Sequence, residues 1–288
     1  MKVARTFAAV LCIIATVFIP AYAQSQEATT MVTGEKGDGY SDAAAARQPL
    51  VCAHRGRSGV FPENTMPAFE GAVELGVDLI ELDVHRTADG EIVCIHDGSG
   101  NRTTDGEGKV SEMTLEQIQA LDAGTWKGAE HAGTRIPTLR EVLLQIAPQM
   151  VIHIEIKQRG IAEQVVKLVH ETGTLRRVAF ISFSTDDLRT VKAAEPAASC
   201  GLITGGPKEK SLEGERALIG EALDCGANFI TCNHGSATAS LVRECHLVGL
   251  LFLAWTIDTP ERLQRAFDFG VDGVVSNFPE RAMEMMGR

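Results

Sequence analysis

The chain has 288 residues, 44% of them apolar and 23% charged, enough to bury a full core and too mixed for a fibrous or wholly disordered protein. A formal net charge of −11 makes it a poor general binder of nucleic acid or of an anionic membrane. Any anionic substrate must therefore be met by local positive charge.

At the amino terminus, Lys2 and Arg5 flank the start of an apolar run from Thr6 to Ile19, followed by Pro20 and Ala21-Tyr22-Ala23. This is the three-part pattern of a secretory signal with a small-x-small cleavage site, so residues 1–23 are expected to be removed and the protein exported, to a periplasm or the cell exterior. The run falls short of the roughly 20 residues a spanning helix needs, an uncleaved anchor being the alternative. No later stretch is long and apolar enough to span. Residues 24–48 hold almost no large apolar side chains and are expected to form a flexible lead-in. Removal of the leader leaves six cysteines: Cys52, Cys94, Cys200, Cys225, Cys232 and Cys245. An exported protein permits disulfides, but a chain with this much core does not depend on them; Cys52 and Cys94 read as small core residues.

Residues 49–288 form the expected domain, in which short apolar runs alternate with helical stretches. The runs are "LVCAH", "DLIELDV", "MVIHIEI", "VAFISF", "SCGLIT", "NFITC", "LLFLAWT" and "DGVVS", eight in all. The helices include "MPAFEGAVEL", closed by Gly76, and "TLREV" and "TPERLQ", each opened by a threonine that can cap it. Eight alternations predict an α/β fold of the TIM (β/α)8 type, with an open doubly wound sheet as the alternative.

"EIVCIHD" adds a further strand as a β-hairpin at the active-site mouth. If Asp89-Gly90 forms a two-residue turn, residues 88 and 91 pair, and so do 83 and 96, which brings His96 beside Asp83. Parallel pairing would need a crossover of about a dozen residues, and only a handful are present.

In such a barrel the carboxyl ends of the strands converge on one mouth. The first strand delivers His54 and Arg55, the second Glu81 and Asp83, the third Glu155 and Lys157, and the seventh Trp255. Residues two apart on a strand share a face, so each carboxylate pair or carboxylate–lysine pair points the same way. Three crowded carboxylates repel one another unless a cation joins them, and hard oxygen donors suit Mg²⁺ or Ca²⁺. Adding a phosphodiester gives four negative charges, which a divalent ion, Arg55 and Lys157 would balance. Two histidines can share a hydrolysis, one taking a proton from the attacking oxygen and one giving a proton to the leaving alcohol. Asp97 either orients His96 or caps the following loop, the second being the preferred reading. His85 and His153 share the inward parity of the carboxylates and read as pocket or core lining; His234 reads as part of a solvated loop.

The segments "AHRGRSGVFPENTMPAF", "GVDLIELDVHRTADGEIVCIHD", "RTTDGEGKVSEMTLEQIQALDAG", "IHIEIK", "AWTIDTPERL" and "GVDGVVSNFPE" occur in this order between residues 50 and 284. Together they resemble the glycerophosphodiester phosphodiesterase family of the phospholipase-C-like TIM-barrel superfamily. That resemblance implies metal-dependent hydrolysis of glycerophosphodiesters to sn-glycerol 3-phosphate and an alcohol. It implies His54 and His96 as the acid and base pair, and Glu81, Asp83 and Glu155 as ligands of one Ca²⁺ or Mg²⁺. It further implies Arg55 and Lys157 as phosphate contacts, Trp255 as an aromatic wall, and Glu63 and Asn64 as residues that shape the site. Residues 98–135 are short and polar where larger relatives carry an inserted subdomain, which leaves the alcohol group open. A lipid phosphodiesterase acting on lysophospholipids or phosphoinositides and a non-catalytic exported binding protein are the alternatives.

Overall fold

The computed structural model describes residues 48–288; the expected leader and all but the last residue of the expected lead-in lie outside the described residues. The strands are β1 (Leu50–Ala53), β2 (Leu79–Arg86), β3 (Ile92–Cys94), β4 (Val151–Ile156), β5 (Val178–Ser182), β6 (Ser199–Thr204), β7 (Phe229–Asn233), β8 (Leu251–Trp255) and β9 (Gly273–Ser276). The helices are α1 (Met66–Leu75), α2 (Leu115–Gln119), α3 (Leu139–Gln145), α4 (Ala162–Glu171), α5 (Thr185–Ala194), α6 (Leu212–Asp224), α7 (Ala239–Leu247), α8 (Pro260–Asp268) and α9 (Pro279–Met285).

Eight strands close a parallel barrel, because β1 pairs with β9 on one side and with β2 on the other. Closure excludes the open sheet. The strands carry Val, Ile and Leu on both faces because both are covered. Outward residues such as Ile80, Ile154, Phe180 and Phe252 pack under the helices, while Cys52, Leu79, Ala179, Phe229 and Leu253 fill the barrel itself. At Gly201 a Cβ would stand 2.1 Å from the Phe229 ring, so the missing side chain lets that phenyl cross the barrel. The six cysteines in the described residues are all buried and free.

Helix ends follow local chemistry. Gly76 closes α1 at φ 76°, a left-handed conformation in which a Cβ is costly. Thr138 opens α3 in a capping box with Glu141. Thr259 does not cap α8 with its side chain; Pro260 in the first turn fixes that start instead.

β3 pairs antiparallel with β2 outside the ring, as expected of the hairpin, but its register differs. Val84 pairs with Cys94, His85 with Val93 and Arg86 with Ile92, and Asp83 O accepts from Ile95 N rather than facing His96. The turn holds three residues, Ala88, Asp89 and Gly90, with Gly90 at φ 95°. This is the three-residue hairpin whose last position is left-handed. It is fixed from outside the turn: the Asp89 carboxylate accepts from Thr87 Oγ1 at 2.6 Å and from Leu115 N at the head of α2.

The segment from Gly98 to Arg135 is polar on its surface yet has a core of its own. Val93 and Ile95 of the hairpin arm pack with Val110, Ile118, Ala123 and Ile136. Large apolar side chains buried this way contribute about 1.5–3 kcal/mol each. That anchors the segment over the barrel mouth.

Candidate active site

The carboxyl ends of the strands open into a cleft of ≈ 260 Å³. One side carries His54, Arg55, Glu81, His96, Glu155 and Lys157; the other carries Ile181, Phe183, Ile203, Trp255 and Val275. The sequence-predicted residues thus meet in one place, with Asp83, Glu63 and Asn64 directly behind the polar side.

Beyond β1 the chain turns sharply. Arg55 and Asn64 both have positive φ, 56° and 58°, and Asn64 N donates to Arg55 O at 3.1 Å. Such backbone is costly for residues with a Cβ and persists where its surroundings hold it. Here the return is a two-point clamp: Asn64 Nδ2 donates to Asp83 Oδ2 at 2.8 Å, and Asp83 N donates to Asn64 Oδ1 at 3.0 Å. Gly56, at φ 76°, passes so close to α1 that a Cβ would stand 2.6 Å from the Ala68 carbonyl carbon. Glu63 and Asn64 are therefore built into the site through Arg55 and Asp83.

Glu81, Asp83 and Glu155 are buried, and one oxygen from each can be chosen so that all lie within 4.8 Å of one another. Asp83 pairs with Glu155 across β2 and β4, which sets them side by side. Glu81 Oε1 and Asp83 Oδ1 are sealed from solvent and accept no hydrogen bond from any described residue. Burying an unpaired carboxylate oxygen is costly, and two such atoms converging with a third carboxylate form a donor set that fits a hard divalent cation. Burial and the neighbouring Asp83 charge push Glu81 well up and Glu155 up to about 7. The triad can hold a metal ion.

Two cations face this cluster. Arg55 Nη1 donates to Glu63 at 2.8 Å and its Nε lies 3.4 Å from Asp83 Oδ2. Lys157 Nζ lies 2.8 Å from Glu155 Oε1, 3.7 Å from Asp83 Oδ1 and 3.1 Å from His96 Nε2. His96 accordingly reaches the site through Lys157, directly after β4, not through a cross-strand pair with Asp83.

His54 and His96 are each held through Nδ1. His54 Nδ1 lies 2.7 Å from Asn277 Oδ1, while Asn277 Nδ2 donates to Asp258 Oδ2 at 2.7 Å. A carboxylate only accepts, which fixes the amide's orientation and puts the proton of His54 on Nδ1. His54 Nε2 is left facing Glu81 Oε2 at 3.9 Å. Burial first, and then the Arg55 charge, bring the His54 imidazole down to about 4. For His96, Nδ1 meets Asp97 Oδ1 at 2.6 Å, and Asp97 Oδ2 accepts from Arg102 Nε at 2.7 Å. Asp97 orients the ring rather than capping the loop.

Sequence reasoning missed Asn277 and Arg102. Asn277 stands directly after β9, and the strand-end rule that found His54 and Lys157 would have found it. Arg102 comes from the covering segment and joins both arms of the site, donating to Glu63 as well as to Asp97. Burial works against a charged Glu63, but hydrogen bonds from Arg102 and Arg55 bring it down to about 2. His85 supports the hairpin, its Nε2 lying 3.1 Å from His96 O, and His153 lines the cleft. His234 is half-buried on the loop after β7, where its N donates to Trp255 O. Trp255 donates from Nε1 to Thr231 O at 2.9 Å and meets Phe183 edge to face at 5.9 Å.

Residues 54–281 match the model of the glycerophosphoryl diester phosphodiesterase family. A glycerophosphodiester phosphodiesterase of Caldanaerobacter subterraneus is 40% identical over 246 residues, covering 82% of this chain and 97% of the relative. Among solved structures, a phosphodiesterase of Oleispira antarctica, in complex with its product sn-glycerol-3-phosphate, aligns with a TM-score of 0.74 and 28% identity, covering 85% of this chain and 99% of that one. A glycerophosphodiester phosphodiesterase of Agrobacterium tumefaciens aligns with a TM-score of 0.72 and 25% identity over 82% of this chain and 100% of its own. With the match extending from the first site histidine almost to the end of the barrel, the chain belongs to the glycerophosphoryl diester phosphodiesterase family.

Proposed function

We propose that the protein hydrolyses glycerophosphodiesters to sn-glycerol 3-phosphate and an alcohol, using His54 and His96 as base and acid and one bound Ca²⁺ or Mg²⁺. The observation that carries the mechanism is the orientation of the two rings through Nδ1, by Asn277 and by Asp97, which turns His54 Nε2 toward Glu81 and His96 Nε2 toward Lys157 at the cleft. Its relatives' names and the product complex of the Oleispira antarctica enzyme support the substrate class.

His54 is neutral at ordinary pH and takes the proton of the attacking oxygen on Nε2. That oxygen belongs to water or to the neighbouring glycerol hydroxyl. As the ester P–O bond breaks, His96 gives a proton to the departing alcohol, with Asp97 supplying the countercharge to its protonated ring. Arg55 and Lys157 take up charge on the phosphoryl oxygens. Glu81, Asp83 and Glu155 would hold the divalent ion, which supplies Lewis-acid polarisation of the phosphoryl group when bound.

A second reading, hydrolysis of lysophospholipids, rests on Phe183, which is 54% exposed on the apolar side of the mouth. One assay separates the two: sn-glycerol 3-phosphate release from soluble glycerophosphodiesters, and turnover of lysolipid micelles, each after chelation and after Ca²⁺ or Mg²⁺ is restored. Cation-dependent turnover of soluble diesters supports the first reading. Turnover of micelles alone replaces it with the second, and full activity in chelator overturns the metal assignment. Export with cleavage after Ala23 is proposed from the amino-terminal signature; a mature protein beginning at Gln24 would bear it out, and an intact Met1 on the purified protein would refute the cleavage in favour of an uncleaved anchor.

A further inference from the structure

The mechanism leaves two polar side chains unused at the bottom of the cleft. His153 on β4 and Thr231 on β7 both line it, and are only 9% and 4% exposed. Neither the His153 ring nitrogens nor Thr231 Oγ1 has a hydrogen-bond partner among the described residues. Neither is sealed like the unpaired carboxylate oxygens. These atoms therefore open onto the cleft itself, where a buried polar group without a partner is costly unless a ligand or water supplies one.

The floor is also held in place. His153 sits beside Glu81 in the β2–β4 register, one inward position deeper than Glu155. Its ring stacks on Phe229 with centroids 5.0 Å apart and planes at 26°. Phe229 reaches that position because Gly201 has no side chain to obstruct it. Thr231 follows Phe229 at the next inward position of β7, so both polar groups are carried by strands and not by loops.

We propose that His153 and Thr231 form a floor subsite that binds a hydroxyl group of the substrate's polyol end. This rests on the phosphodiesterase reading, which places phosphate higher in the cleft near Arg55 and Lys157. A neutral imidazole and a hydroxyl each offer a donor and an acceptor, matching an alcohol group, whereas among the described residues no cationic side chain stands at the floor to attract a second anion. Apolar Ile203, which pairs with Thr231 across β6 and β7, and Val275 elsewhere on the cleft lining suit the carbon chain that carries such a hydroxyl. The subsite would read the glycerol end and leave the alcohol group toward the mouth.

Binding of sn-glycerol 3-phosphate and of propyl phosphate, which has the same carbon count and no hydroxyl, tests this on the full chain with divalent cation supplied. The wild type is expected to hold sn-glycerol 3-phosphate about tenfold more tightly than propyl phosphate. Thr231→Val, nearly the same size, and His153→Phe, which keeps the stack on Phe229, are each expected to weaken sn-glycerol 3-phosphate about tenfold and leave propyl phosphate unchanged. Equal loss for both ligands, or no change for either, in a folded and diester-cleaving background overturns the subsite alone. A wild type that binds neither ligand and cleaves no diester overturns the phosphodiesterase reading, and the subsite with it.

Discussion

His54 and Asn277, 223 positions apart in the chain, share a hydrogen bond of 2.7 Å that joins the first barrel strand to the loop after the last. Asp258 fixes the amide and the amide fixes the imidazole. The proposed base is therefore oriented by closure of the barrel itself.

Removing that contact should cost rate more than binding. Asn277→Ala is expected to lower kcat by about 10²-fold with little change in KM, because the ring loses its orientation while the phosphate contacts stay. Steady-state kinetics of the folded variant check this.

The pH dependence follows from burial of His54. Desolvation and then Arg55 disfavour its charged form and hold it at about 4, so the base stays free where an ordinary histidine near 6.5 would be half protonated. The acid limb of kcat/KM is expected below about pH 5. With divalent cation saturating, so that Glu155 stays ionised, a limb at pH 6.5 would show that His54 titrates as an exposed histidine does.

The acidic triad should couple cation binding to stability with a definite sign. Burial and Asp83 raise Glu155 to about 7 and Glu81 well up. Without a cation, stability from these groups is fully present below their ordinary value near 4.3 and is lost as pH rises through the raised one. A divalent ion removes that loss, so the rise in Tm on adding Ca²⁺ or Mg²⁺ should grow from pH 5 to pH 7.5. Glu155→Gln should shrink it, as differential scanning calorimetry would record.

Arg102 ties Asp97 behind the proposed acid to Glu63 behind Arg55. Arg102→Ala should lower kcat about tenfold by loosening both arms, and Arg102→Lys should recover only part, since an ammonium cannot make the forked contacts of a guanidinium. A pre-steady-state rate unchanged in both variants would make the bridge structural only.

The barrel was legible because eight apolar runs alternate with helical stretches, and the strand-end rule brought His54, Glu81, Glu155 and Lys157 together correctly. The hairpin register was not, because Asp89 is held by the head of α2, a contact from 26 residues away that no turn preference encodes. Asn277 directly follows β9 and lay within reach of the strand-end rule, but its pairing with His54 did not, because that contact exists only once β9 lies beside β1. The core under the covering segment escaped notice because Val110, Ile118, Ala123 and Ile136 are spaced too widely to form a periodic pattern. Each miss is a contact between distant segments, while each success is a property of one strand.

The central claim is that two histidines share the proton transfers of a diester hydrolysis. It is tested most directly by sn-glycerol 3-phosphate release from a soluble glycerophosphodiester by His54→Ala and His96→Ala, with divalent cation present and folding verified by circular dichroism. Each variant is expected to lose at least about 10²–10⁴-fold in rate. Release near the wild-type rate by either one would contradict the account.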